Sequence, residues 1–364
     1  MRILRLGLAP VLMVLLSTAA RGDPLQHELL LFASGEGIGT FDRHAPDARL
    51  PDEVFKADLI FTLQHDSLKL LGEYLLSDHE GDLERFQLGW QASENTIVWL
   101  GRYHQPSSVW NHDHHHGQYL QTTITRPAIE EWEDGGGEVE EGVLPQHFTG
   151  MLIENSSHVF STWTLNSAVG AGISPVLTPR GMEPYDLTHP SPAHGELGFQ
   201  GRAALHPSEF DESGVGVLLA YDDLNAVGWP ANAPIKFDRV DLTLYGLFGT
   251  YAESDWKVTG TVYYALANLH AATPGIDHRF MVGYVQAERR FAHGLTPFVR
   301  WEDSSEAGRS RYLSLYEQFA RTRHVGGLRW DYAQRQALTV QLTDTRTLKG
   351  DFKDVRLQWS TALF

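Results

Sequence analysis

The chain has 364 residues, with 46 Asp and Glu against 29 Lys and Arg and a formal net charge of −17. Such an acidic balance argues against nucleic acid and anionic lipid surfaces as partners and suits an aqueous path that favours cations. There is no cysteine, which excludes a disulfide framework, a thiolate metal site and a lipid-anchored lipoprotein.

At the N-terminus, Arg2 and Arg5 precede an apolar run from Leu6 to Leu16, followed by the small residues of "STAARG". This pattern predicts a signal peptide over 1–22, cleaved after Ala20 or Gly22. Beyond residue 22 no apolar stretch approaches the ~20 residues that a spanning helix needs. A mean hydropathy of −0.27 suits either a soluble protein or a transmembrane β-barrel, because a barrel alternates apolar and polar residues.

From there the dominant period is two, the mark of half-buried strands. In "FKADLIFTLQ", Phe55, Ala57, Leu59, Phe61 and Leu63 share one face, with Ile60 the exception on the other. "RVDLTLYGLFG" separates Val240, Leu242, Leu244 and Phe248 from Asp241, Thr243 and Tyr245. "ALTVQLT" and "DVRLQWSTALF" alternate in the same way. Sixteen such segments begin near residues 25, 53, 68, 83, 96, 147, 159, 194, 214, 236, 256, 277, 295, 322, 336 and 352. Their connections alternate in length. The short set is 65–67, 93–95, 156–158, 207–213, 252–255, 292–294 and 332–335. The other set is 35–52, 78–82, 106–146, 172–193, 225–235, 270–276, 304–321 and 346–351. The averages are about 4 and about 16 residues, the sorting that an outer-membrane barrel shows. Trp90, Trp99, Trp163, Trp256, Trp301, Trp330 and Trp359 lie near strand ends and are candidates for interfacial girdles. The chain ends in Phe364, one place beyond the apolar face that closes at Leu363.

The longest connection, 106–146, carries two concentrations of ligating side chains. "WNHDHHHGQ" places His112, Asp113, His114, His115 and His116 consecutively, with His104 and His147 flanking the loop. Neutral imidazole is a common ligand for zinc, copper, nickel and iron. In an extended segment His112, His114 and His116 would share a face. The tract reads as a transition-metal site, as a solvated loop, or as a pH-responsive gate. Further on, "IEEWEDGGGEVEEG" holds Glu130, Glu131, Glu133, Asp134, Glu138, Glu140 and Glu141, seven carboxylates in twelve residues. They must stay solvated or face a basic wall. No HExxH, GxSxG or phosphate-binding loop occurs, so no catalytic residue is assigned.

Together, these features resemble a sixteen-stranded bacterial porin over residues 23–364. The resemblance implies an all-β fold, a transmembrane antiparallel up-and-down barrel with short periplasmic turns and long extracellular loops. It makes 106–146 the third extracellular loop, which in general porins folds inward and narrows the channel. Inward-pointing candidates for a basic wall opposite the acidic run are Lys56, Arg85, Arg102, Arg202, Arg239, Arg290, Arg300, Arg329 and Arg356. The implied function is passive diffusion of small hydrophilic solutes or cations, with no required cofactor and no covalent chemistry. The implied setting is the outer membrane, with lipopolysaccharide, the barrel assembly machinery and two further copies in a homotrimer as partners. The alternatives are a periplasmic metal-binding β-protein and an enzyme built on the loops.

Overall fold

Alternating sequences cannot satisfy their backbone groups alone in an apolar medium, so each strand must pair on both edges. A computed structural model solves this by closure. It describes residues 25–41, 53–77, 81–114, 118–131, 142–160, 162–179, 181–185, 187, 195–209, 211–229, 237–271, 278–304 and 308–363. The 1–22 segment, His115, His116, Glu133, Asp134, Glu138, Glu140, Glu141 and Phe364 lie outside these residues.

The strands are β1 (Gln26–Phe41), β2 (Glu53–His65), β3 (Leu68–Ser77), β4 (Gly81–Ser93), β5 (Thr96–His104), β6 (His147–Phe160), β7 (Trp163–Ile173), β8 (Val176–Thr178), β9 (Gly181–Glu183), β10 (Leu197–His206), β11 (Gly214–Asn225), β12 (Phe237–Glu253), β13 (Trp256–Ala271), β14 (Arg279–Arg289), β15 (Leu295–Asp303), β16 (Ala320–Ala333), β17 (Gln336–Thr347) and β18 (Asp351–Leu363). Strands β8 and β9 form a separate small hairpin, and the other sixteen form one closed barrel. Each pairs antiparallel with its chain neighbour, and β1 closes on β18 from Leu31↔Leu363 to Phe41↔Lys353.

The expected strands therefore all form. One short turn moves: β6 continues past Ser157 to Phe160, and Phe160 pairs with Trp163. The ladder thus runs past 156–158, where a turn was expected, because the two aromatics extend it. Two two-residue turns at this end open on a residue with positive φ, Asp66 (51°) and Ser254 (55°). Such turns match the twist of the strands they join.

An apolar belt covers the outside. Phe55, Leu100, Val217, Leu247, Val299, Leu342 and Leu357 are among its exposed members. At the short-turn end Phe160, Trp163, Trp256, Phe291 and Trp330 add an exposed aromatic rim. Trp99 departs from the girdle expectation. It is buried inside the barrel wall, packed over Gly89, where a Cβ would stand 2.5 Å from its ring.

Candidate functional site: a loop pinned across the barrel

Any loop entering the barrel carries backbone donors and acceptors that need partners. At its neck, Gln105 donates its N–H to the carbonyl of Gln146 (2.8 Å). A short helix, α1 (Val109–His114), follows. From Tyr119 to Arg126 the chain is then held by side chains on the inner faces of β15, β16 and β17. The Arg329 guanidinium donates to the carbonyls of Tyr119 (2.7 Å) and Gln121 (2.5 Å). Gln341 Oε1 accepts from the N–H groups of Ile124 (2.8 Å) and Thr125 (3.3 Å). Arg300 donates to the carbonyls of Thr125 (2.9 Å) and Arg126 (2.8 Å), and Arg323 also donates to the latter. Glu302 accepts from Arg300 (2.7 Å) and Arg323 (2.8 Å) and takes the N–H of Ala128 (2.7 Å). Arginine forks suit this role because they present several rigid donors to carbonyls.

The far side of the loop is pinned by Glu130. Its carboxylate accepts from Ser108 Oγ (2.6 Å), the Trp110 N–H (3.1 Å) and the Tyr263 hydroxyl on β13. Burial pushes this carboxyl up to about 7, and the three donors only partly offset that push. Its carbonyl accepts from Asn111 Nδ2 (3.1 Å). Helix and carboxylate thus fix each other inside the lumen.

Apolar packing completes the anchorage. Val109, Trp110, Ala128, Ile129, Val143 and Leu144 join one core with the inner faces of β11 to β14. That wall supplies Leu218, Val240, Leu242, Leu244, Tyr263, Ala265, Phe280 and Tyr284. Leu177 and Met182 from the small hairpin, and Tyr312, Leu313, Tyr316 and Phe319 from the 308–319 loop, cover it. This reverses the reading of β12. Val240, Leu242 and Leu244 point inward, while Tyr245 and Leu247 are 47% and 65% exposed outside. Both faces of this stretch are apolar, one for the membrane and one for the loop.

The reversal also corrects Arg239, which lies on the outer face, paired with Asp223 and Asp241 (3.3 Å each). The other expected basic residues do lie on the inner side, but most are already engaged. Arg85 bonds Glu73, Arg102 lies 3.4 Å from Asp82, and Arg356 bonds Asp354 (2.8 Å). Arg300 and Arg329 hold loop carbonyls and the carboxylates two places along, Glu302 and Asp331. Arg202 meets Asp113 (3.0 Å), Arg290 lines the lumen near the short turns, and Lys56 is half-buried on β2. The sequence did carry a signal for this: opposite charges two places apart share a strand face. Arg300–Glu302, Arg329–Asp331 and Asp354–Arg356 fit that rule. Arg323, Gln341, Tyr263 and Glu154 carried no comparable signal and were missed.

The acidic expectation is corrected for the two described members. Glu130 and Glu131 are 0% and 4% exposed, packed into the loop's seat and not presented to open water. Among the described residues, the carboxylates that line open space lie elsewhere. Below the loop, towards the short turns, lies a cavity of about 900 Å³. A second, of about 580 Å³, meets it at Leu120, Glu212 and Lys257. Among the described residues, they are lined by ten carboxylates against five Lys and Arg, and by His112, His114, His158 and His206.

The histidine tract is helical at its start, so His112 and His114 diverge instead of sharing an extended face. His114 stacks on Trp110, with ring centroids 4.4 Å apart, and its Nδ1 meets the Trp110 carbonyl (3.1 Å). Burial pushes its imidazole below the ordinary value. His112 Nδ1 lies 3.2 Å from Asp113 Oδ1. His104 and His147 pack edge to face 5.0 Å apart, and His147 Nε2 sits 3.0 Å from Glu84. They belong to the barrel wall and not to α1. Among the described residues no three metal-ligating side chains converge.

No protein-family model matches the chain, and no curated protein matches it. Solved structures do. The loop L8 deletion mutant of OmpT, an outer membrane protein of Vibrio cholerae, gives a TM-score of 0.57 at 10% identity, over 94% of this chain and 100% of that one. The outer membrane channel DcaP of Acinetobacter baumannii gives 0.56 at 10%, over 94% and 98%. A trimer form of in-vitro folded OmpT gives 0.55 at 11%, over 94% and 100%. The chain therefore has the fold of the sixteen-stranded outer-membrane β-barrels.

Proposed function

We propose that the protein is a porin that lets small hydrophilic solutes diffuse passively across the outer membrane, with a preference for cations. One arrangement carries the reading: a long loop pinned across the lumen above a vestibule where carboxylates outnumber Lys and Arg two to one. A confined space with excess negative charge raises the local cation concentration and lowers that of anions. Diffusion of this kind needs no catalytic group and no resident cofactor. The short turns then face the periplasm and the long loops the outside. The apolar belt weighs against a soluble periplasmic protein. Lipopolysaccharide around the outer rim and assembly by the barrel machinery belong to the same reading. So does a homotrimer, with the trimer form of OmpT as its structural counterpart.

The test is electrical. Purified protein in a planar bilayer under a KCl gradient should give discrete conductance steps and a reversal potential on the cation-selective side. Replacing Glu94, Glu212 and Asp255 together by the corresponding amides should move that potential towards zero. An anion-selective reversal potential would remove the cation preference, and an absence of steps would remove the pore.

A further inference from the structure

In the vestibule an imidazole and a carboxylate from different elements face each other at ion-pair range, just beyond hydrogen-bond distance. His112 Nε2, on α1 at the underside of the pinned loop, lies 3.9 Å from Glu154 Oε1, on the inner face of β6. That is too long for a hydrogen bond. Two metal–ligand bonds of about 2.0–2.2 Å set their ligand atoms roughly 3.4 Å apart at a tetrahedral angle, so a closure of about half an ångström lets one cation bridge the pair.

Each member of the pair is held by a further partner. Asp113 Oδ1 lies 3.2 Å from His112 Nδ1. The Arg202 guanidinium donates to the same Asp113 oxygen from 3.0 Å and holds the carboxylate in place. In the tautomer that carries its proton on Nδ1, beside Asp113, the Nε2 lone pair faces Glu154. From β5, the strand beside β6, Trp99 Nε1 donates to Glu154 Oε2 (2.8 Å), leaving Oε1 directed at the histidine. The carboxylate–imidazole relay is the usual support of a metal-bound histidine. It also gives a role to Trp99, which turns inward where a lipid-facing tryptophan was expected. The two ligand side chains are each 37% exposed, so water can fill the remaining coordination positions.

We propose that His112 and Glu154 form a transient site for a divalent transition-metal cation, of the zinc or nickel type, bridging the loop and the barrel wall. The mixed nitrogen and oxygen set suits borderline cations better than calcium or magnesium, which take oxygen ligands. Two protein ligands select without trapping. Permanent zinc sites use three or four, whereas conduction requires a site weak enough to leave. The proposal deepens the pore reading by naming a class of cation for the vestibule, and it rests on that reading for its role though not for its binding.

The experiment is zinc titration by calorimetry of the folded full-length chain in detergent, paired with zinc block of single-channel current. Wild type should bind zinc, and zinc on the short-turn side should block current reversibly. His112→Ala and Glu154→Gln should each weaken binding at least ten-fold and relieve block to the same degree. Trp99→Phe, which keeps both ligands and removes the donor that orients Glu154, should weaken binding several-fold. Glu154→Gln and Trp99→Phe binding zinc like wild type would overturn the bridging site, whether or not His112→Ala does. Loss in His112→Ala alone would assign zinc to the histidine tract by itself. A protein that binds zinc as expected yet shows no conductance would remove the pore and leave the site. One that conducts with unchanged zinc response in the variants would do the reverse.

Discussion

Glu130 shows how one side chain can change meaning between sequence and structure. In the sequence it opens an acidic run; in the barrel it is a buried acceptor for Ser108, Trp110 and Tyr263. Burial raises its folded-state carboxyl from 4.5 to about 7. Between those values the folded protein holds a proton that the unfolded chain has released, so stability falls as pH rises through this window. The shift corresponds to roughly 3 kcal/mol. Loop anchorage should be fully present below about pH 4.5 and weakest above about pH 7. Hydrogen exchange at the Trp110 amide should therefore be slower at pH 5 than at pH 8 after correction for intrinsic rates. Glu130→Gln, which imitates the neutral form, should flatten that difference. An unchanged slope in the variant would show that another group governs the loop. Burial of this kind is invisible in a run of carboxylates, because period and composition do not say which residues a folded loop turns towards a wall.

At the scale of elements, the strands were legible and the loop's attachment was not. Alternation reports one half-buried face, so it located the strand starts to within a few residues. It failed on β12, where Val240 and Leu242 face the loop and Tyr245 and Leu247 face outward, because two apolar faces leave no contrast to read. It also turned Arg239 inward for the same reason. The loop's hold on β15–β17 depends on Arg300, Arg323 and Glu302 acting together. Arg300→Ala removes four bonds to loop residues Thr123, Thr125 and Arg126. It also takes one of two arginines from a buried carboxylate, a change that costs about 3–5 kcal/mol where it leaves a charge unpaired. The expected outcome is protease sensitivity confined to residues 118–131 and noisier single-channel current. The barrel itself should keep its folded mobility on gels. Protection of 118–131 equal to that of wild type would mean that Gln341, Arg329 and the apolar core suffice.

For the whole molecule, the belt and the inner core make opposite demands on adjacent residues. Leu247→Arg places a charge in the outer belt, where the cost is about 2–4 kcal/mol near the membrane midplane. The measurement is reversible urea unfolding in lipid vesicles, and a loss under 1 kcal/mol would place Leu247 outside the apolar zone. The loop's anchors have a consequence of another kind, for timing. Ile124 is bonded to Gln341, 217 residues further along the chain, and Arg126 to Arg323, 197 residues along. A feature encoded in the first half of the chain thus draws one of its two rows of anchors from the last strands. Contacts so distant in sequence form late. Until β15–β18 have inserted and β18 has met β1, the loop has a seat on β11–β14 but nothing to grip on the other side. Narrowing and closure are then a single terminal event in assembly, and a half-built barrel would be wider than the finished one.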